Sequence, residues 1–117
     1  MAQGKAKEEK MMKYDNGRLE DHIGDRNISP SEFTGLLLRS LNAENNVRYK
    51  GAKIESSNLN GTTELTMRHE YGSVHPRFIA VDISKREYVL SDFFIPSFLR
   101  DDVRTIMNRS GYNEKSM

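Results

Sequence analysis

The apolar positions of this chain change period twice, from a helical spacing to an alternating one and back. Phe33, Leu36, Leu37 and Leu41 recur at steps of three and four, with Leu38 beside them, and so share one face of a helix. The start of that helix is written in Ile28-Ser29-Pro30-Ser31-Glu32-Phe33. The Ser29 hydroxyl suits the Glu32 N–H, the Glu32 carboxylate suits the Ser29 N–H, Pro30 fits the first helical position, and Ile28 and Phe33 flank the box as a hydrophobic staple. The pattern predicts a helix over 30–43, stopped by Asn45-Asn46.

From Val47 the apolar period is two. Val47 and Tyr49 face one way and Arg48 and Lys50 the other, while Ile54 has the wrong parity for their face. A bulge at Gly51-Ala52 within a strand over 47–59 would restore it. Asn60-Gly61, whose residues both tolerate positive φ, predicts a two-residue hairpin into a second strand over 62–71. In that strand Thr63, Leu65, Met67, His69 and Tyr71 alternate with Glu64, Thr66, Arg68 and Glu70. A nearly unbroken apolar run over 78–83 predicts a central strand, Ser84-Lys85-Arg86-Glu87 a turn, and 88–94 a fourth strand. Pro96 ends the sheet and opens a second helix with the stripe Leu99, Val103 and Ile106, early acids Asp101 and Asp102, late Arg104 and Arg109, and Gly111 as its stop.

The expected fold is therefore α+β: one domain of order α-β-β-β-β-α, a four-stranded antiparallel meander with both helices on one sheet face. The expected partition is a charged disordered tail over 1–27, the domain over 28–110 and a C-terminal tail over 111–117. The first segment alternates Lys5, Lys7, Glu8, Glu9, Lys10 and Lys13 with few large apolar groups. It has little surface to bury against the ~1–2 kcal/mol per residue that ordering its backbone costs. The alternative is that Met11, Met12, Tyr14, Leu19 and Ile23 dock as a short segment on the domain or on a partner.

Composition narrows the chemistry. The 117 residues are 36% hydrophobic and 30% charged, enough for one core. They include no Cys, so disulfides, thiolate nucleophiles and thiolate metal sites are excluded. With 18 Lys and Arg against 17 Asp and Glu, the net charge of +1 creates no overall field for a polyanion. No apolar run approaches a membrane span or a secretory signal, so a cytoplasmic protein is expected.

Catalytic signatures are sparse. There is no glycine-rich phosphate loop, no GxSxG elbow and no HExxH. His69 and His75 flank the turn before the third strand and, with Arg68 and Glu70, are the weak candidates for a metal-free ribonuclease, in which an acid/base pair and a guanidinium share the work. His69 and Glu70 are adjacent in a strand and so point to opposite faces, which argues against such a pair. No ligand spacing supports a metal, and no cofactor is expected. A second set, Arg48, Lys50, Lys53, Arg68 and Arg77, would make a basic sheet face for nucleic acid, although Glu55, Glu64 and Glu70 interleave with it. A third is the aromatic excess of Phe93, Phe94 and Phe98: alternation sends the first two to opposite faces, and Phe98 lies off the stripe of its helix. The double-stranded-RNA-binding domain is similar in outline of element order, but its final helix opens on Lys-Lys-x-Ala-Lys where this chain has Pro96-Ser97-Phe98-Leu99-Arg100-Asp101-Asp102, and the family's activity is not carried over. The expected function is a non-enzymatic protein–protein interaction domain, a small intracellular regulator, inhibitor or accessory subunit. Its expected contact residues are Phe93, Phe94 and Phe98, its partner another protein or a second copy, with nucleic-acid binding as the alternative.

Overall fold

The computed structural model describes residues 17–44, 46–68, 74–91 and 96–115. A 3₁₀ turn, Leu19–His22, leads into helix α1, Pro30–Glu44; a single helical turn, α2, Asn46–Tyr49, follows it. Strands β1, Lys53–Leu59, β2, Thr62–Arg68, β3, Val74–Asp82, and β4, Glu87–Leu90, precede helix α3, Ser97–Arg109, and a short strand β5, Asn113–Glu114. The spatial order of the sheet is β1-β2-β3-β4-β5, antiparallel except for the parallel β4/β5 pair. The α+β class and the two flanking helices agree with the sequence pattern; the fifth strand was not expected.

Local chemistry explains where the elements begin and end. At the start of α1 the Glu32 N–H donates to Ser29 Oγ at 3.3 Å and the Ser29 N–H donates to Glu32 Oε1 at 3.2 Å, with Ile28 and Phe33 both buried. Asn60 and Gly61 sit at φ 54° and 79°, the two positive values of a type I′ turn, and close the β1/β2 hairpin on the pair Leu59 and Thr62. α3 ends with Gly111 at φ 90°: the Tyr112 N–H bonds back to the Met107 carbonyl and the Gly111 N–H to that of Asn108. This pair of bonds is a Schellman stop.

One core holds the layers together. Phe33, Leu36, Leu37 and Leu41 of α1, Leu99, Val103, Ile106 and Met107 of α3, and Ile54, Leu65, Met67, Ile79, Val81, Tyr88 and Leu90 of the sheet belong to a single buried cluster. Glu55, Ser57, Glu64, Thr66, Ala80, Glu87 and Val89, of opposite parity, stay wholly or partly exposed. Both helices therefore cover the same sheet face. Between the pairs Leu65/Ile79 and Met67/His75, β3 takes four steps where β2 takes two. The irregularity lets the neighbours Phe78 and Ile79 both be buried and turns Arg77 outward.

Three expectations need correction. The first strand does not run from residue 47 through a bulge. Residues 46–49 form a helical turn, the Ala52 N–H closes on the Tyr49 carbonyl, and Gly51 at φ 83° reverses the chain before β1 starts at Lys53. Tyr49 is fully buried, as its alternation with Arg48 suggests, but from this turn and not from a strand. The packed chain also begins before Ile28. Leu19 is buried, its N–H donates to the buried Ser40 Oγ at 2.9 Å, and Arg39 Nε donates to the Gly17 carbonyl at 2.8 Å. Leu19 is isolated in a charged stretch, and its burial supplies what the local composition lacks. The rest of the expected tail, residues 1–16, lies outside the described residues. Nor does the C-terminus leave the domain at 111, since Tyr112 is buried and β5 pairs with β4. Among the described residues no helix is long and apolar enough to cross a membrane.

Candidate functional site

The turn α2 and the first two turns of α3 meet at four residues, Arg48, Tyr49, Phe98 and Asp102, the two pairs about fifty positions apart in the chain. Tyr49 Oη donates to Asp102 Oδ2 at 2.6 Å, and Arg48 approaches the same carboxylate oxygen at 3.4 Å. The guanidinium of Arg48 lies 4.6 Å from the centroid of the Phe98 ring, and the rings of Tyr49 and Phe98 are 6.3 Å apart, tilted by 44°. Burial raises the pKa of the Tyr49 hydroxyl well above the ordinary tyrosine value, and the Asp102 carboxylate raises it further, while Arg48 works in the opposite sense. The hydroxyl therefore stays protonated and acts as a donor, holding Asp102 in place.

This arrangement explains why Phe98 is exposed without being loose. It is 39% accessible, one of three exposed large apolar side chains among the described residues, yet its ring is bounded by Tyr49 and capped by Arg48. A cation over an aromatic face at an exposed site contributes ~0.5–1 kcal/mol, and Asp102 aims the cation. Phe98 and Arg48, expected to serve two different functions, lie in one cluster. Phe93 and Phe94 lie outside the described residues.

The remaining basic candidates do not gather around it. Lys53 and Arg68 are Cα partners across β1 and β2, but Arg68 also reaches Glu55 at 3.6 Å. Arg77 bonds Glu64 at 3.0 Å. Lys50 is exposed in the turn after Tyr49, outside the strands that carry Lys53, Arg68 and Arg77. Acids thus interleave with the cations at contact distance, and the outer face is mixed in sign. No family model, curated protein or solved structure matches the chain.

Of the residues considered for catalysis, His69 and Glu70 lie outside the described residues, as does the side chain of His75. Shallow depressions mark the outer sheet face. One, of about 240 Å³, is lined by residues including Glu55, Ser57, Glu64, Thr66 and Arg77. Another, of about 180 Å³, is lined by residues including Asp82, Lys85, Glu87 and Lys115. In the second, Asp82 accepts bonds from the Lys85 N–H and from Ser84 Oγ, which lower its pKa from the ordinary aspartate value. A carboxylate so engaged is a turn-forming group and a poor base. Among the described residues no group of three or more His, Asp or Glu is placed to hold a metal ion.

The sequence pointed to Phe98 through its departure from the helical stripe. It gave no signal for Asp102 as the anchor, which read only as an acid complementing a helix N-terminus. The pairing spans 53 positions and depends on Tyr49 sitting in a helical turn.

Proposed function

We propose that this chain is a non-enzymatic protein-binding domain, a small regulator, inhibitor or accessory subunit, that grips its partner through Phe98 and Arg48. The observation that carries the reading is the exposed Phe98 ring fixed between Tyr49 and Arg48. Aromatic and Arg side chains are the types that dominate interface energetics, and a pair already held in position loses little side-chain entropy on docking. The neighbouring Phe93 and Phe94 extend the same stretch of sequence. The mixed charge of the outer sheet face favours this over a nucleic-acid platform, which needs a continuous positive track.

The test is photo-cross-linking in the source cell with a benzophenone amino acid at position 98, and at the more exposed Ile23 as control. The expected result is one discrete adduct from position 98. The purified partner should then bind Phe98→Ala at least ~10-fold more weakly than the parent chain, the loss typical of one central aromatic anchor. No adduct, adducts shared with the Ile23 control, or unchanged affinity in Phe98→Ala would each overturn the proposal.

A further inference from the structure

The two edges of the sheet are treated differently. On one side the edge is β5, only two residues long, and its Glu114 is clamped by Arg104 at 2.7 Å. On the other it is β1, seven residues with no proline and no register irregularity against β2. Short edges, prolines, bulges and edge charges are the usual protection against strand addition, and of these β1 has only the charges Lys53 and Glu55 near one end.

The hairpin geometry shows what this edge offers. In a two-residue type I′ hairpin the flanking pair, here Leu59 and Thr62, is hydrogen-bonded, and bonded pairs then alternate along the ladder. Leu59, Ser57, Glu55 and Lys53 therefore spend their backbone groups on β2, while Ile54, Ser56 and Asn58 aim theirs outward. No backbone bond to these outward groups occurs among the described residues.

We propose that β1 pairs antiparallel with β1 of a second copy of this chain, about a two-fold axis at Ser56, to make one continuous sheet. An axis perpendicular to the sheet keeps each side chain on its own face, so it must pass between a residue and its own copy. With Ser56 opposite itself, Ile54 meets Asn58 and Asn58 meets Ile54; two bonds at each of these three pairs use every outward group. On the outer face Glu55 meets Ser57, and Lys53 meets Leu59, which is 58% exposed and gains the cover of the lysine stem. A shift of the axis to Glu55 would set like charges directly opposite each other, and a shift to Ile54 would leave Asn58 without a partner. Only an axis at Ser56 pairs Ile54, Ser56 and Asn58 all within the strand, since an axis at Ser57 sets Ile54 opposite the turn residue Asn60, and this self-complementarity favours a second copy over an unrelated peptide. This surface shares no residue with the cluster of Arg48, Tyr49, Phe98 and Asp102.

Since the chain contains no Cys, single replacements read the register directly. Bonded antiparallel partners have Cα atoms about 5.5 Å apart, inside the disulfide window, whereas Ser57 and its copy would be diagonal neighbours at about 7–8 Å. Under mild oxidation Ser56→Cys should give a disulfide dimer at a yield about tenfold above Ser57→Cys. In sedimentation equilibrium the full chain should rise toward twice the monomer mass as concentration increases. Ser56→Pro, which removes an outward N–H that the monomer does not use, should stay monomeric with an unchanged circular dichroism spectrum. A parent chain that remains monomeric into the millimolar range, or cross-linking no better at Ser56 than at Ser57, would overturn the proposal. If Ser56→Pro fails to fold, the cysteine pair still decides it. A Phe98→Ala chain that still dimerises is the expected result, and loss of the dimer in that variant would place the interface elsewhere.

Discussion

Tyr49 Oη and Asp102 Oδ2 lie 2.6 Å apart, joining the turn after the first helix to the opening of the last. The two ends of the bond are unequal. Tyr49 is fully buried, whereas the Asp102 side chain keeps 22% of its surface and also faces Arg48. Removing the acid leaves a buried hydroxyl without its acceptor; removing the hydroxyl leaves a carboxylate that still has Arg48 and water. Asp102→Ala should therefore cost ~1–3 kcal/mol and Tyr49→Phe the smaller amount, ~1 kcal/mol. Thermal unfolding checks the order, since each kcal/mol moves the midpoint by roughly 4–8 °C in a domain of this size. Equal losses would mean that the bond acts as a simple pair with no buried end.

Phe98 separates binding from folding. It lies at the rim of the core, and Phe98→Ala should cost about 1 kcal/mol, mostly the contact with Tyr49 and the cation over its ring. Leu36, on the helix across the core and fully buried, should cost ~2–5 kcal/mol when cut to Ala. Urea denaturation of the two variants gives the comparison. A loss at Phe98 as large as at Leu36 would make the ring a core residue and remove the main support for a docking role.

Local signals in the sequence carried over to the structure where the chain satisfies itself within a few residues. The Ser29/Glu32 box, the Asn60-Gly61 turn and the Gly111 stop all sit where the residue types place them, because each closes its hydrogen bonds within one turn. Val47 to Tyr49 failed for the opposite reason. Its alternation is short enough to suit a strand or a helical turn, and contacts with Phe98 and Asp102, about fifty positions away, accompany the turn. β5 was missed because two residues carry no periodicity at all. The candidate site was half legible: Phe98 stood out as misplaced on its helix, but the anchor behind it exists only in three dimensions.

Leu19 gives the segment before the first helix a measurable stake in the fold. The Leu19 N–H has the buried Ser40 Oγ as its acceptor, so Ser40→Ala strands a buried donor and should cost ~1–3 kcal/mol. The effect should be local as well as global. Amide exchange should quicken over Gly17 to Gly24 more than in β2. A chain beginning at Asn27 loses the whole Leu19 side chain from the core, worth ~1.5–3 kcal/mol, and should melt below the parent by more than Ser40→Ala does. Identical stability of the shortened and parent chains would return the domain boundary to Ile28.

Alkaline titration tests the burial of the tyrosines that the fold assembles. Tyr88 and Tyr112 are each pushed up to about 12 by burial, with Glu114 adding to the effect at Tyr88, and Tyr49 is pushed higher still. Tyr88 Oη donates to Asn108 Oδ1 at 2.7 Å, and the Tyr112 ring meets Phe33 edge-on at 5.8 Å, so unfolding would expose all of these contacts. A tyrosine is charged when deprotonated. With the folded pKa above the unfolded value of about 10, the unfolded chain gives up its protons first as the pH rises. Stability is then complete below about pH 10 and falls between about 10 and 12, with Tyr49 extending the loss upward. The other two of the five tyrosines, Tyr14 and Tyr71, lie outside the described residues, so the measurement is cleanest in a Tyr14→Phe, Tyr71→Phe background. There the folded chain should show little phenolate absorbance at about pH 11, while the same chain in urea should be largely ionised. Phenolate appearing in the folded chain with a midpoint near 10 would show that these hydroxyls are open to water, and the core described around them would have to be redrawn.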